Sequence, residues 1–154
     1  MRGPRRRELL AASVLAAALP SARAAQPSLP ATGSLASALE AAAARRRALV
    51  VLASLLGCPW CLLVRRSYLA PLLADGQPVI ELDIQDKGGI VGFDGAATTP
   101  ARLADSLRIR IAPTVLFLGR GGRELAPRLV GVASPDFYGA YLQERVDAAN
   151  RTLA

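Results

Sequence analysis

Histidine is absent from this 154-residue chain, its one methionine is the initiator, and it has only two cysteines. Each shortage closes off a class of chemistry. A zinc site needs about four nitrogen or sulfur ligands and here finds two. Haem attachment to paired cysteines requires a histidine immediately after them, and that position is Leu62. Two thiols are too few for a disulfide-stapled scaffold, and a bridge across two intervening residues constrains the unfolded chain little. The glycine-rich segment 86–98 is no phosphate loop, because it lacks the Gly-Lys-Ser/Thr ending and the helix expected after it opens on Thr99-Pro100. Lysine occurs once, at Lys87, so the positive charge is nearly all arginine, which reads as a compositional bias.

The charge is unevenly placed. The chain carries 19 basic and 12 acidic residues, a net of +7. Arg2, Arg5, Arg6, Arg7, Arg23 and Glu8 fall in the first 24 residues, leaving 14 basic and 11 acidic residues, a net of +3. That remainder makes no case for nucleic acid as a partner. The first 24 residues read as a secretory signal peptide, with a basic start, an apolar stretch over residues 9–19 and an Ala22-Arg23-Ala24 ending. Arg6-Arg7-Glu8-Leu9-Leu10 also resembles the twin-arginine export pattern, although Sec signals carry arginine-rich starts too. This eleven-residue stretch falls short of the ~20 that span a bilayer. Cleavage after Ala24 is expected, with an uncleaved anchoring segment as the alternative. Residues 25–33, with Pro27 and Pro30, then form a linker, and residues 34–154 form one domain with a single sizeable core.

The two cysteines lie three apart in Cys58-Pro59-Trp60-Cys61, directly after a short apolar segment. A strand running into a helix that carries both sulfurs in its first turn brings them onto one face, where a short disulfide can close. The helix N-terminus supplies unpaired N–H groups and positive dipole character beside the first sulfur, favouring its thiolate. Cys58 is therefore the expected nucleophile and Cys61 the resolving thiol. Thiol redox chemistry follows, in an oxidising compartment and with no cofactor.

The rest of the pattern supplies elements around that motif. Ser34 caps a helix over residues 35–46 with Leu35, Leu39 and Ala43 along one face. Its end holds Arg45-Arg46-Arg47, the densest basic run outside the signal, read as a solvated helix end favourable to the dipole. Residues 48–53 form a buried strand, and Pro59 suits the first position of the next helix, which should kink or break at Pro71. Residues 78–84 alternate as a strand with Val79, Glu81 and Asp83 on one face. A short helix follows to about Leu107, then a strand over residues 111–118 interrupted at its start by Pro113. Residues 119–122 form a hairpin turn, residues 128–132 a returning strand, and residues 134–149 a final helix. The order β–α–β–α–β–β–α after a leading helix calls for an α/β fold, a mixed sheet with helices on both faces.

Over nearly all of residues 34–152 this chain resembles the thioredoxin-fold family. The likeness rests on Cys58-Pro59-Trp60-Cys61 after a strand, on Ala112-Pro113-Thr114 opening a later strand, and on the glycine hairpin leading to Arg128-Leu129-Val130-Gly131 and a terminal helix. It implies a central mixed sheet, a cis-proline at Pro113 facing the sulfurs, and the backbone of Ala112 presented as an edge to an extended substrate. Trp60 is read both as a hydrophobic lid over the motif and as a contact surface for partner proteins. By the same likeness the chain is expected to be an exported thiol–disulfide oxidoreductase of the periplasm. It would act as a monomer on cysteine-containing exported proteins, with a membrane thiol reductase or oxidase as redox partner.

The departures from that family are informative. The strand before the motif usually carries a buried carboxylate that helps move a proton from the resolving cysteine, and the matching position is Leu52. Without histidine no imidazolium can sit between the cysteines. Proton transfer then falls to water or to a carboxylate from elsewhere, with Glu81 and Asp83 as candidates that also read as a solvated strand face. Arg65 and Arg66 stand about two turns into the helix, too far to act strongly on Cys58. Residues 86–98 form an insertion expected to emerge beside Cys58, either a partner-selecting loop or a plain surface excursion. Two other functions remain open: a Cu(I) carrier using both thiolates, short of further soft ligands, and a non-catalytic binding module.

Overall fold

The structure, a computed structural model, describes residues 28–153. The expected export signal, its cleavage point and the start of the linker at residues 25–27 lie outside the described residues.

Ser34 begins the first helix, its Oγ accepting a hydrogen bond from the Ser37 N–H at 3.2 Å. Helix α1 (Leu35–Ala44) buries Leu35, Leu39 and Ala42, so the inward stripe steps to Ala42 and leaves Ala43 half-buried. Strand β1 (Leu49–Ser54) follows and is buried along its whole length. It is central because it is apolar on both faces. On one side β2 (Val79–Asp83) pairs parallel to it, from Val50↔Val79 to Ser54↔Asp83. On the other, β5 (Thr114–Leu118) pairs antiparallel, from Leu49↔Leu118 to Ala53↔Thr114. Strand β6 (Glu124–Val130) completes the order β2-β1-β5-β6.

The alternation along β1 builds two cores. Val50 and Leu52 pack with Val64, Leu69, Val115 and Phe117 under the motif helix and the last helix, α5 (Pro135–Arg151). Leu49, Val51 and Ala53 pack with Leu35, Leu39, Ile80 and Leu116 under α1 and α4 (Pro100–Ser106). Each fully buried Leu, Val or Phe contributes about 1.5–3 kcal/mol relative to exposure, which makes this two-sided strand the anchor of the fold.

Strand β5 starts at Thr114, after Pro113, and α1 ends at Ala44, both shorter than the sequence suggests, and three further elements differ more. The helix begun as α2 (Pro59–Val64) does not break at Pro71 but runs on through a π-helical turn (Arg65–Leu69) into α3 (Ala70–Ala74). There the Ala70 N–H reaches back to Arg65 O, shifting the ladder by one residue just before a proline that has no N–H to give. Strand β6 starts at Glu124, earlier than expected, and contains Pro127. As an edge strand with register shifts near Phe117 it tolerates the lost donor. The insertion forms a hairpin of its own, β3 (Ile90–Val91) with β4 (Ala97–Thr98). Its Ile90 and Phe93 pack against the α1/α4 core.

Candidate active site

The end of β1 and the start of α2 set up the motif. Gly57 takes φ +75°, the left-handed turn that lets the chain swing from strand to helix. Cys58 is then the N-cap of α2, in extended backbone, with Pro59 at the first helical position as its fixed φ favours. Cys58 Sγ accepts a hydrogen bond from the Cys61 N–H at 3.1 Å. One of the helix's orphan N–H groups therefore points at the first sulfur, stabilising negative charge there.

Cys58 and Cys61 form a disulfide with their Cα atoms 5.2 Å apart. The two sulfurs are not equivalent. Cys58 is half-buried, whereas Cys61 is fully buried. Only the first is open to an incoming sulfur. Trp60, between the two cysteines, is 52 % exposed.

The loop before β5 arrives at the same end of the sheet, because Thr114 pairs with Ala53 just before the motif turn. The Ala112–Pro113 peptide bond is cis. Thr114 Oγ1 donates to Ile111 O at 2.6 Å and the Gly131 N–H to Pro113 O at 2.8 Å, fixing the loop from both sides. Among the described residues the N–H and C=O of Ala112 make no backbone hydrogen bond. Cys58, Cys61, Trp60, Ala112 and Pro113 thus share one end of the molecule.

Sequence reasoning missed the apolar rim around them. Leu56 is 94 % exposed, and Ile111 and Val130 are about half exposed. Leu56 was legible as a large apolar residue in the turn before Gly57. Ile111 and Val130 were not, because their exposure depends on how the 111–113 loop meets the end of β6.

Glu81 is not the solvated carboxylate of an open strand face. It lies in register with Leu52, where the acid of the resembled family would sit, but one strand over. Arg65, in the π-helical turn, donates to both its oxygens, Nε to Oε2 at 2.8 Å and Nη2 to Oε1 at 2.5 Å. The two side chains are 22 % and 16 % exposed, and the hydrogen bonds to Glu81 raise the Arg65 pKa above its ordinary value. Arg65 is therefore occupied with Glu81 and clamps the motif helix to β2. Asp83 and Asp86 line a cleft of about 330 Å³ with Leu55 and Leu56, next to the motif turn. The insertion leaves the sheet here, but its tip turns away. Phe93 packs against Gly122 in the 3₁₀ turn (Arg120–Gly122), beyond the end of β5 remote from the motif. The apolar hairpin gains more from covering the core than from reaching over Cys58.

The sheet order, a disulfide at a helix start and a β5–β6 hairpin followed by a terminal helix make up a known architecture. Thioredoxin NaTrxh from Nicotiana alata superposes with a TM-score of 0.52 at 16% identity, over 80% of this chain and 97% of its own. Mitochondrial thioredoxin 3 from Saccharomyces cerevisiae, in its oxidized form, does so at 0.51 and 14% identity, over 77% and 93%. The chain has the thioredoxin fold. Thioredoxin from Trypanosoma brucei brucei matches at 0.50 and 16% identity, over 81% of this chain and 96% of that one. No family model matches the chain, and no curated protein matches it in sequence. Within the thioredoxin fold, the CxxC disulfide at the start of α2 and the proline before β5 occupy the same end of the sheet.

Proposed function

We propose that this chain is an exported thiol–disulfide oxidoreductase working through the Cys58/Cys61 couple. The observation that carries the reading is the disulfide at the N-terminus of α2 with one accessible and one buried sulfur. In the reducing direction, the Cys58 thiolate attacks one sulfur of a substrate disulfide, and the other substrate sulfur leaves as a thiolate that takes up a proton. Cys61 then loses its proton to solvent and attacks Cys58 Sγ. This releases the second substrate thiol and re-forms the Cys58–Cys61 bond, so two electrons pass to the substrate. Run in reverse, the same steps oxidise a substrate dithiol. The helix N-terminus holds the thiolate, and the free edge of Ala112 receives an extended substrate backbone, with Trp60 beside it.

Cysteine-containing exported proteins are the proposed substrates, and a membrane thiol reductase or oxidase resets the couple. The basic start, the apolar residues 9–19 and Ala22-Arg23-Ala24 support export to the periplasm, and the protein works as a monomer. Trapping tests this reading. Cys61→Ser leaves the first exchange intact but removes the resolving thiol, so partner proteins should accumulate as mixed disulfides on Cys58 and dissolve with reductant. Absence of any mixed disulfide with Cys61→Ser, while Cys58 alkylates normally, would overturn it.

A further inference from the structure

The cleft of about 330 Å³ beside the redox motif carries acids that take no part in the exchange chemistry. The backbone fixes its place. Leu55 forms part of the wall, and Leu55 O accepts from the Cys58 N–H at 3.3 Å. Leu56, Ile90 and Pro100 make much of the remaining wall apolar. Four charged side chains line the cleft. Arg65 and Glu81 are committed to each other, whereas Asp83 and Asp86 join no ion pair among the described residues. Each of these two carboxylates accepts one turn N–H through Oδ1, from Gln85 at 2.9 Å and from Gly88 at 2.8 Å. The turns order the side chains and leave both Oδ2 atoms without a partner among the described residues. The nearest bases along the chain, Arg66, Lys87 and Arg102, are exposed and lie outside the lining, and Lys87 lines the neighbouring groove with Asp105. The cleft itself therefore holds two uncompensated negative charges.

Ser54 adds an acceptor. It pairs in register with Asp83, lines the same cleft and is only 3 % exposed. Its Oγ holds one long hydrogen bond, to Leu82 O at 3.5 Å, and its lone pairs accept from no donor among the described residues.

We propose that this cleft takes a basic side chain of the substrate polypeptide, an arginine or lysine close to the cysteine that Cys58 attacks. The proposal rests on the thiol–disulfide reading and names the substrate class for that site. The apolar wall suits the methylene stem, and Asp83, Asp86 and Ser54 suit the charged head. A volume at the low end of the ~300–1,000 Å³ of ligand pockets admits one long side chain and not a folded element. A calcium ion would need about six oxygen ligands, and among the described residues no three metal-ligating side chains come together.

The test uses the full chain, reduced beforehand, and three peptides that differ only in the residues flanking their single cysteine: arginine, citrulline or glutamate. Each cysteine carries the same small thiol as a mixed disulfide. One turnover converts that disulfide to two thiols and the Cys58/Cys61 dithiol to its disulfide, so thiol release gives a second-order rate constant. Dividing by the rate of the same peptide with dithiothreitol removes the intrinsic effect of flanking charge. With wild type at low salt the arginine peptide should react at least about threefold faster than the citrulline peptide, and the glutamate peptide slowest, the scale for ion pairs partly open to solvent. About 0.5 M salt should compress these differences. Asp83→Asn/Asp86→Asn keeps the Oδ1 acceptors of both turns and should bring the three rates together. Asp75→Asn/Asp147→Asn should retain the wild-type order. Equal rates for the three peptides with wild type would overturn the proposal, as would an arginine preference that survives Asp83→Asn/Asp86→Asn. No thiol release from any peptide would overturn the redox reading and the proposal with it.

Discussion

At the scale of single residues the site is a matter of who is already engaged. A carboxylate that accepts from both arms of a guanidinium is committed to that partner, and Glu81 is so held by Arg65. Its contribution is mechanical, tying the π-helical turn behind the motif to the edge strand. Glu81→Gln should therefore cost about 1.5–3 kcal/mol, the range for hydrogen bonds to charged groups, read by urea unfolding. The pH profile of thiol exchange should stay where it was. A displaced profile at unchanged stability would instead assign Glu81 to proton transfer. The cysteines themselves were legible in the sequence, because a helix start and a three-residue spacing are local features. The state of Glu81 was not. Its position in the strand was evident, but its partner lies sixteen residues earlier on another element, and only the parallel pairing of β2 with β1 brings them together.

Among the elements, those that local pattern decides were readable and those that tertiary packing decides were not. The caps at Ser34 and Thr99 and the strand β1 follow from their own residues. Continuity past Pro71 depended on a π-helical turn that no periodicity announces, and the early start of β6 depended on its place at the sheet edge. The insertion shows the same limit. Read as a loop or surface excursion, it instead folds back as a hairpin whose Ile90 and Phe93 pack on the α1/α4 core. The fit is tight where Phe93 meets Gly122. A Cβ added at Gly122 would lie 2.7 Å from Phe93 Cγ, and the residue already takes φ +78°. Gly122→Ala should lose about 1–3 kcal/mol by overpacking, and Phe93→Ala about 2 kcal/mol by leaving a void. In the double variant the steric part of the Gly122→Ala cost should vanish, so the two losses should sum to more than the double variant shows. Denaturant unfolding of the four proteins checks this cycle. Because the contact lies beyond the far end of β5, exchange at Cys58 should be unaffected in all of them.

For the whole molecule the arrangement is a slab with two unlike ends. One end gathers the accessible Cys58 sulfur, the unpaired backbone of Ala112 and an apolar rim, the features that the proposed exchange with an extended substrate would use. The other carries Arg45, Arg46, Arg47, Arg120, Arg123 and Arg151 together with Glu40 and Asp94 and, among the described residues, no large exposed apolar side chain. Neither end makes sense of the first 24 residues, whose five arginines and apolar stretch have the order of a secretory signal. The proposed export would decide what the dithiol does. In a reducing cytoplasm the pair would be held open as a reductant, whereas outside it the resting state is the disulfide, which waits for a reductase or passes oxidation onward. Helix α1 begins at Leu35, ten residues after the expected cut, so removal of residues 1–24 should leave every described contact of α1 intact. Expressed in a Gram-negative host, the protein should be recovered from the periplasmic fraction with a mature N-terminus near Ala25, identified by N-terminal sequencing. Replacing Arg6 and Arg7 by lysine should block this processing if the twin-arginine route is used and leave it unchanged if the Sec route is. An intact Met1 on a soluble cytoplasmic species would remove the exported compartment from the proposed function while leaving the chemistry of Cys58 and Cys61 as it stands.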